Sequence, residues 1–274
     1  MRILGVDFTS SPSKRKPITA AWCCLEPTVL HVDSVELLRS LEGFESLLRE
    51  PGPWIGAFDF PFALPKEFVQ QVAKDAWKEH TGVICGQTRQ SFVAAVEEFM
   101  SARAAGNKRP ARYVDRLAGS ASSLNVVRPP VGKMFFEGAR RLLEAGVSVE
   151  PCCPNGDTRI ALEAYPKLVT RWLGVASYKS DRRRPDEQRR HARVSMVEAF
   201  DDGRVHARYG VQVLVPEELK SRLVDDESGD QVDAVLCAIQ AAWASRQPNY
   251  GIPLNCDCQE GWIVDPAVLE KHSR

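Results

Sequence analysis

Three short apolar segments of this chain each end in a carboxylate. Ile3-Leu4-Gly5-Val6 runs into Asp7, Trp54-Ile55-Gly56-Ala57-Phe58 into Asp59, and Arg159-Ile160-Ala161-Leu162 into Glu163. Apolar runs of this length read as buried strands. Ligands of open α/β sheets bind outside the carboxyl ends of the strands, so acids delivered there by neighbouring parallel strands converge. A fourth source is Asp230-Gln231-Val232-Asp233-Ala234, which opens a helix whose other face carries Val235, Leu236 and Ile239. Asp230 and Asp233 stand three apart and can face one way. Packed like charges are unfavourable without a cation, so the set implies a divalent metal, Mg2+ or Mn2+. Two such ions ~3.5–4 Å apart are a standard device for in-line attack on phosphodiesters. Taken singly, each acid also has a structural reading. Asp7 and Asp59 could make Asx turns, Asp230 or Asp233 could sit at a helix N-terminus for the dipole, and Glu163 could pair with an arginine.

The remaining pattern is that of an α/β chain. Ile18–Leu25 and Thr28–Val35 read as strands joined at Pro27, completing an antiparallel meander with the first. Leu41–Arg49 reads as a short helix. After Phe60-Pro61-Phe62 a mostly helical stretch begins: Pro65 to about His80, Ser91–Ala105, and Met134–Ala145 capped by Gly146. Gly119–Pro130 between them reads as a loop. Strands follow at Val147–Glu150 and Arg159–Ala164, helices at Pro185–Phe200, Glu217–Val224 and Val232–Arg246, and a last strand at Trp262–Val264. With no repeat and no linker, the 274 residues read as one domain with a helical insertion at about 66–146.

Composition excludes several classes. With 44% hydrophobic residues and zero net charge the chain is globular and not disordered. No window reaches the ~18 uncharged apolar residues of a membrane helix, and Asp7 interrupts any signal-peptide core, so a cytoplasmic protein is expected. Of the 8 cysteines, the pairs Cys23-Cys24, Cys152-Cys153 and Cys256-x-Cys258 are poorly spaced for disulfides or for zinc, and free thiols are expected. The zero net charge is segregated. Lys179–Arg193 carries seven basic against three acidic residues, Ser101–Arg116 five against one, and Glu217–Asp233 two against seven. Two basic runs and one acidic run suit a protein that grips a polyanion and holds metal, although each run alone reads more readily as a solvated helix face. Lys179, Arg189 and Arg190 are the candidate phosphate contacts, which makes nucleic acid the expected partner.

A family resemblance runs through the same residues. Gly5-Val6-Asp7, Phe58-Asp59-Phe60-Pro61-Phe62-Ala63-Leu64-Pro65, Glu163-Ala164-Tyr165-Pro166, Tyr178-Lys179-Ser180, Asp230-Gln231-Val232-Asp233-Ala234 and Glu260-Gly261-Trp262-Ile263 resemble the DUF429 family. Those proteins are uncharacterised and are assigned to the ribonuclease H-like superfamily as predicted nucleases. The resemblance implies a ribonuclease H-like mixed sheet flanked by helices. Within that superfamily Asp7 resembles the first-strand aspartate and Asp59 the acid of the fourth strand. Asp230 with Asp233 resembles the helix pair of Holliday-junction resolvases. Glu163 has no equivalent there, and is read as a metal ligand or as a base behind the ligands. The expected function is metal-dependent phosphodiester hydrolysis by Asp7, Asp59, Glu163, Asp230 and Asp233. The alternatives are an ATP-dependent phosphotransferase of the actin and sugar-kinase group, with Thr9-Ser10-Ser11 beside phosphate, or a non-catalytic nucleic-acid-binding protein.

Overall fold

The computed structural model describes residues 1–72, 76–180 and 186–274. β1 (Arg2–Asp7), β2 (Ile18–Glu26) and β3 (Val29–Leu38) form the expected antiparallel meander. β4 (Trp54–Asp59) lies parallel to β1, β6 (Arg159–Glu163) parallel to β4, and β5 (Ser148–Glu150) parallel to β6. β7 (Gln212–Leu214) extends the other edge, parallel to β3. Among the described residues this gives one seven-stranded sheet in the order β5-β6-β4-β1-β2-β3-β7, with β2 running against the rest. The class is α/β with a mixed sheet, in keeping with a ribonuclease H-like fold.

The alternation of side chains along each strand divides the core between the two faces of the sheet. On one face Ile3, Ala21, Ala57 and Leu162 pack beneath α8 (Glu187–Asp201), α10 (Glu217–Asp225) and α11 (Asp230–Ala244). On the other, Leu4, Val6, Phe58 and Ala161 pack against α1 (Leu41–Leu48) and three helices that follow β4: α2 (Lys66–Val72), α3 (Trp77–Cys85) and α4 (Arg89–Ser101). α5 (Tyr113–Ala118) and α6 (Val131–Ala145) complete the segment between β4 and β5. Shorter helices α7 (Lys167–Trp172), α9 (Arg204–Tyr209) and α12 (Pro266–His272) cover the first face and its edges. No helix among the described residues is long and apolar enough to cross a membrane.

One contact sets the position of everything that follows. A Cβ on Gly5 would lie 2.0 Å from the Ala234 carbonyl oxygen and 2.3 Å from the Ala238 nitrogen. Only a residue with no side chain lets the backbone of α11 rest directly on β1. Ala234, Ala238, Ala241 and Ala242 keep the helix thin where it touches the sheet. On the opposite face the aromatic rings of Phe8 and Phe60 lie 4.7 Å apart and those of Phe60 and Phe62 5.1 Å apart. Such tilted pairs each contribute about 0.5–1.5 kcal/mol beyond burial and stiffen the carboxyl ends of β1 and β4.

Two expected elements differ. The helix read from Pro65 to about His80 is two helices, α2 and α3; residues 73–75 lie outside the described residues. The strand read at Trp262–Val264 is a single parallel bridge from Ile263 to Glu163, with the Val264 N–H donating to the Glu163 carbonyl. β6 ends there, so nothing remains for a longer ladder to pair with.

Candidate functional site

Asp7 and Asp59 end neighbouring parallel strands in register, Cα partner to Cα partner. Paired residues project from the same face, here the face covered by α11. The close packing of α11 on Gly5 then brings its first turn, with Asp230 and Asp233, over the same edge. Gly229 caps that turn with φ 69°, a left-handed conformation that glycine adopts freely. Asp7, Asp230 and Asp233 are buried, at 8%, 7% and 3% exposure. Asp59 is half-buried.

The electrostatics follow from this crowding. Burial, then the charges of Asp230, Asp233 and Asp59, push the Asp7 carboxyl well above the usual carboxylate range, with the Lys179 ammonium opposing. Burial and the Asp233 charge raise Asp59 to about 7. Asp233 is raised by burial, while Lys179 and the Tyr178 hydroxyl work against the shift. The Lys179 Nζ lies 2.6 Å from Asp233 and 3.0 Å from Asp230. The Tyr178 hydroxyl donates to the other Asp233 oxygen at 2.6 Å. Among the described residues, four carboxylates therefore face one ammonium, whose side chain is 44% exposed.

Buried Arg193 of α8 fixes the segment that supplies Tyr178 and Lys179. It donates to the carbonyls of Tyr178 and Val224, both at 2.6 Å, while the Ser180 N–H donates to the Glu227 carbonyl at 2.7 Å. Thr19 is the register partner of Asp7 on β2 and is fully buried on the same face. Its hydroxyl has no hydrogen-bond partner among the described residues, an arrangement that costs stability unless something occupies the site.

Glu163 stands apart from these four. Its register partner is Phe58, one residue short of Asp59, so its side chain leaves the opposite face of the sheet. There it meets Arg112, whose Nη1 and Nη2 donate to its two oxygens at 2.8 and 2.6 Å. The Phe62 N–H donates to it at 2.9 Å. Arg112 also donates to both oxygens of Asp115, at 3.0 and 2.8 Å, and to the Glu260 carbonyl at 3.0 Å. Burial opposes the guanidinium charge, and the two carboxylates overcome it and hold Arg112 above its ordinary range. All five guanidinium N–H groups are thereby used. This second cluster is a saturated ion-pair network, in contrast to the crowded, under-bonded first.

The structure thus brings Asp7, Asp59, Asp230 and Asp233 together with Lys179 and sets Glu163 on a separate partner. Among the described residues no three His, Cys, Asp or Glu side chains are grouped tightly enough to hold a metal ion as they stand; the Lys179 ammonium lies between Asp230 and Asp233. Arg189 pairs with Asp186 at 3.2 Å and donates to the Lys179 carbonyl at 2.9 Å. Arg190 pairs with Asp225 at 3.1 Å. Sequence reasoning missed Thr19, Tyr178, Arg112 and Arg193 as members of the two clusters. Tyr178 was signalled by its place beside Lys179; Thr19 is set opposite Asp7 by the β1–β2 register, across a connection of residues 8–17 that no turn motif fixes. Nothing local marks Arg193, and although Asp115 stands three residues from Arg112, the other Arg112 partners, Glu163 and Glu260, lie far along the chain.

Fold and site together define an α/β protein with an acid cluster at the carboxyl edge of a mixed sheet. The chain belongs to the family described as "Protein of unknown function (DUF429)", whose model matches residues 5–253. Neither the curated proteins nor the solved structures yielded a match.

Proposed function

We propose that this protein is a metal-dependent phosphodiesterase acting on nucleic acid. The observation that carries the reading is the convergence of four aspartates, two on adjacent strands in register and two on one helix turn, against one lysine among the described residues. So large an excess of buried negative charge favours a cation. The residues suit Mg2+ or Mn2+: the donors are all hard carboxylate oxygens, Thr19 adds an unpartnered buried hydroxyl, and Lys179 is exposed enough to withdraw. Asp7, Asp59, Asp230 and Asp233 would hold the metal, which supplies an activated water and neutralises charge on the phosphate.

Each other residue then has a definite task. Tyr178 holds the Asp233 carboxylate in one orientation. Lys179 neutralises the apo site and, once released, reaches a phosphate oxygen. Arg189 and Arg190, half-buried and exposed respectively on the adjoining helix, exchange weak surface pairs for phosphate contacts. Glu163 braces the turn after β4 through the Phe62 N–H and takes no part in metal binding.

The test is cleavage of end-labelled DNA and RNA oligonucleotides, single- and double-stranded, with manganese. Wild type should cleave at least one class and Asp7→Asn should not. No cleavage, with nucleic-acid binding that survives Asp7→Asn, would return the non-catalytic reading; ATP binding by calorimetry would return the phosphotransferase. The proposal places the chain in the cytoplasm, where its 8 free thiols stay reduced. Thiol titration of denatured protein should give all eight, and a lower count would contradict that setting.

A further inference from the structure

Beside Asp59, at the carboxyl ends of β4 and β6, lies a cavity of about 180 Å³. One wall is apolar, made by Phe60, Pro61, Val131, Met134, Tyr165 and Ile263. The polar wall is formed by Asp59, Asp115, Glu163, Arg112 and Ser120. Ala121 and Pro129, which also line it, are exposed, so the cavity opens to solvent under the 119–130 loop.

The chemistry of that wall is specific. Every N–H of Arg112 already donates to Asp115, Glu163 or Glu260. The Ser120 hydroxyl donates to Asp115 at 3.0 Å. Asp115 already accepts four bonds, so what remains to a ligand are the acceptors of the Asp59 carboxylate and one spare lone pair of Glu163. A phosphate or carboxylate ligand is repelled, and a group carrying N–H donors is favoured. Size narrows the choice. A cavity of about 150 Å³ holds a benzene ring, so this one admits one planar heterocycle and not a base pair.

We propose that this cavity is a base subsite, receiving one unpaired, amine-bearing nucleobase of the strand whose adjoining phosphate lies at the four aspartates. The inference rests on the phosphodiesterase reading and narrows its substrate to single strands or extruded nucleotides. Adenine, cytosine and guanine present an exocyclic amine to the carboxylates; thymine and uracil do not. The aromatic and apolar wall supplies the stacking face that single-strand binders use.

The test is fluorescence anisotropy with end-labelled single strands in calcium buffer: oligo-dA, oligo-dT, and oligo-dA with an abasic position at each nucleotide in turn. The protein is wild type and Val131→Trp, which fills the cavity from the partly buried start of α6. Met134→Phe replaces it should the first variant fail to fold by circular dichroism. Wild type should bind dA more tightly than dT. Val131→Trp should weaken dA binding about tenfold, the loss of one stacked base, and leave the most disruptive abasic strand unchanged. Equal affinity for dA and dT, equal loss on every strand, or no strand binding overturns the base subsite. Base preference without manganese-dependent cleavage in the earlier assay would retain the subsite and overturn the phosphodiesterase. Cleavage without base preference would do the reverse.

Discussion

Two clusters of buried charge lie on opposite faces of one sheet, a few residues apart, and they are built in opposite ways. Around Arg112, at 1% side-chain exposure, each carboxylate meets a matched donor, and the guanidinium fork pairs with Asp115 and Glu163 together. Around Asp7, among the described residues, four carboxylates share one ammonium, on a side chain 44% exposed, and a tyrosine hydroxyl. A saturated network holds structure in place and leaves little unfavourable charge for a cation to relieve. An under-bonded one stores unfavourable interactions that a cation can relieve. The difference predicts that the first cluster governs stability and the second governs response to metal.

The sharpest break of the comparison is therefore Arg112→Met. It strands Asp115 and Glu163 in the interior and should cost about 3–5 kcal/mol. At roughly 2–4 °C per kcal/mol the melting temperature should fall on the order of 10 °C. A loss no larger than that of Lys179→Met would erase the distinction between the clusters. Next in size is the metal response. Manganese at a hundredfold excess over its dissociation constant should stabilise wild type by ~2.7 kcal/mol, seen as a rise of several degrees in thermal melts. Asp7→Asn should lose most of that rise, yet leave the metal-free protein as stable as wild type or more so, because one repulsive charge is gone. Lys179→Met should lower metal-free stability by roughly 1 kcal/mol, as expected for a partly exposed pair, and enlarge the manganese shift.

The last effect is in pH. Asp59 titrates at about 7 in the folded protein against an ordinary 3.8. The folded state binds that proton more tightly than the unfolded state, so the contribution of Asp59 is complete below the ordinary value and is lost as pH rises through about 7. Metal-free wild type should lose melting temperature over that window relative to Asp59→Asn. Parallel curves for the two proteins would remove Asp59 from the strained cluster.

Most of the sheet was legible in the sequence because its strands are short, apolar and punctuated. The meander and β4 and β6 fall where the patterns put them. The short helices α5, α7, α9 and α12 went unread, since six or seven residues give too few turns for a period to show. α12 carried a capping signature, Asp265 accepting from the Ala267 N–H ahead of Pro266 at the first turn, that periodicity alone passes over. Trp262–Val264 looked like a strand because its residues are buried, at 2% or less; they are buried beneath the end of β6 and lack a ladder of their own.

The sequence by itself determined that acids stand at strand ends and at the head of an apolar helix, because a strand run and its terminal carboxylate are local facts. It could not assign them to faces. That depends on register, and a shift of one residue reverses every side chain. Asp7 is opposite Asp59, whereas Glu163 is opposite Phe58, so three similar strand ends became two different sites. Lys179 was likewise only a candidate phosphate contact, and Arg112 only a member of a basic run, until folding chose their carboxylate partners. Lys179 lies 51 residues from Asp230, and Arg112 lies 51 from Glu163. Charge in sequence is a property of the residue; whether it ends paired, strained or free is decided by which distant backbone the sheet brings beside it.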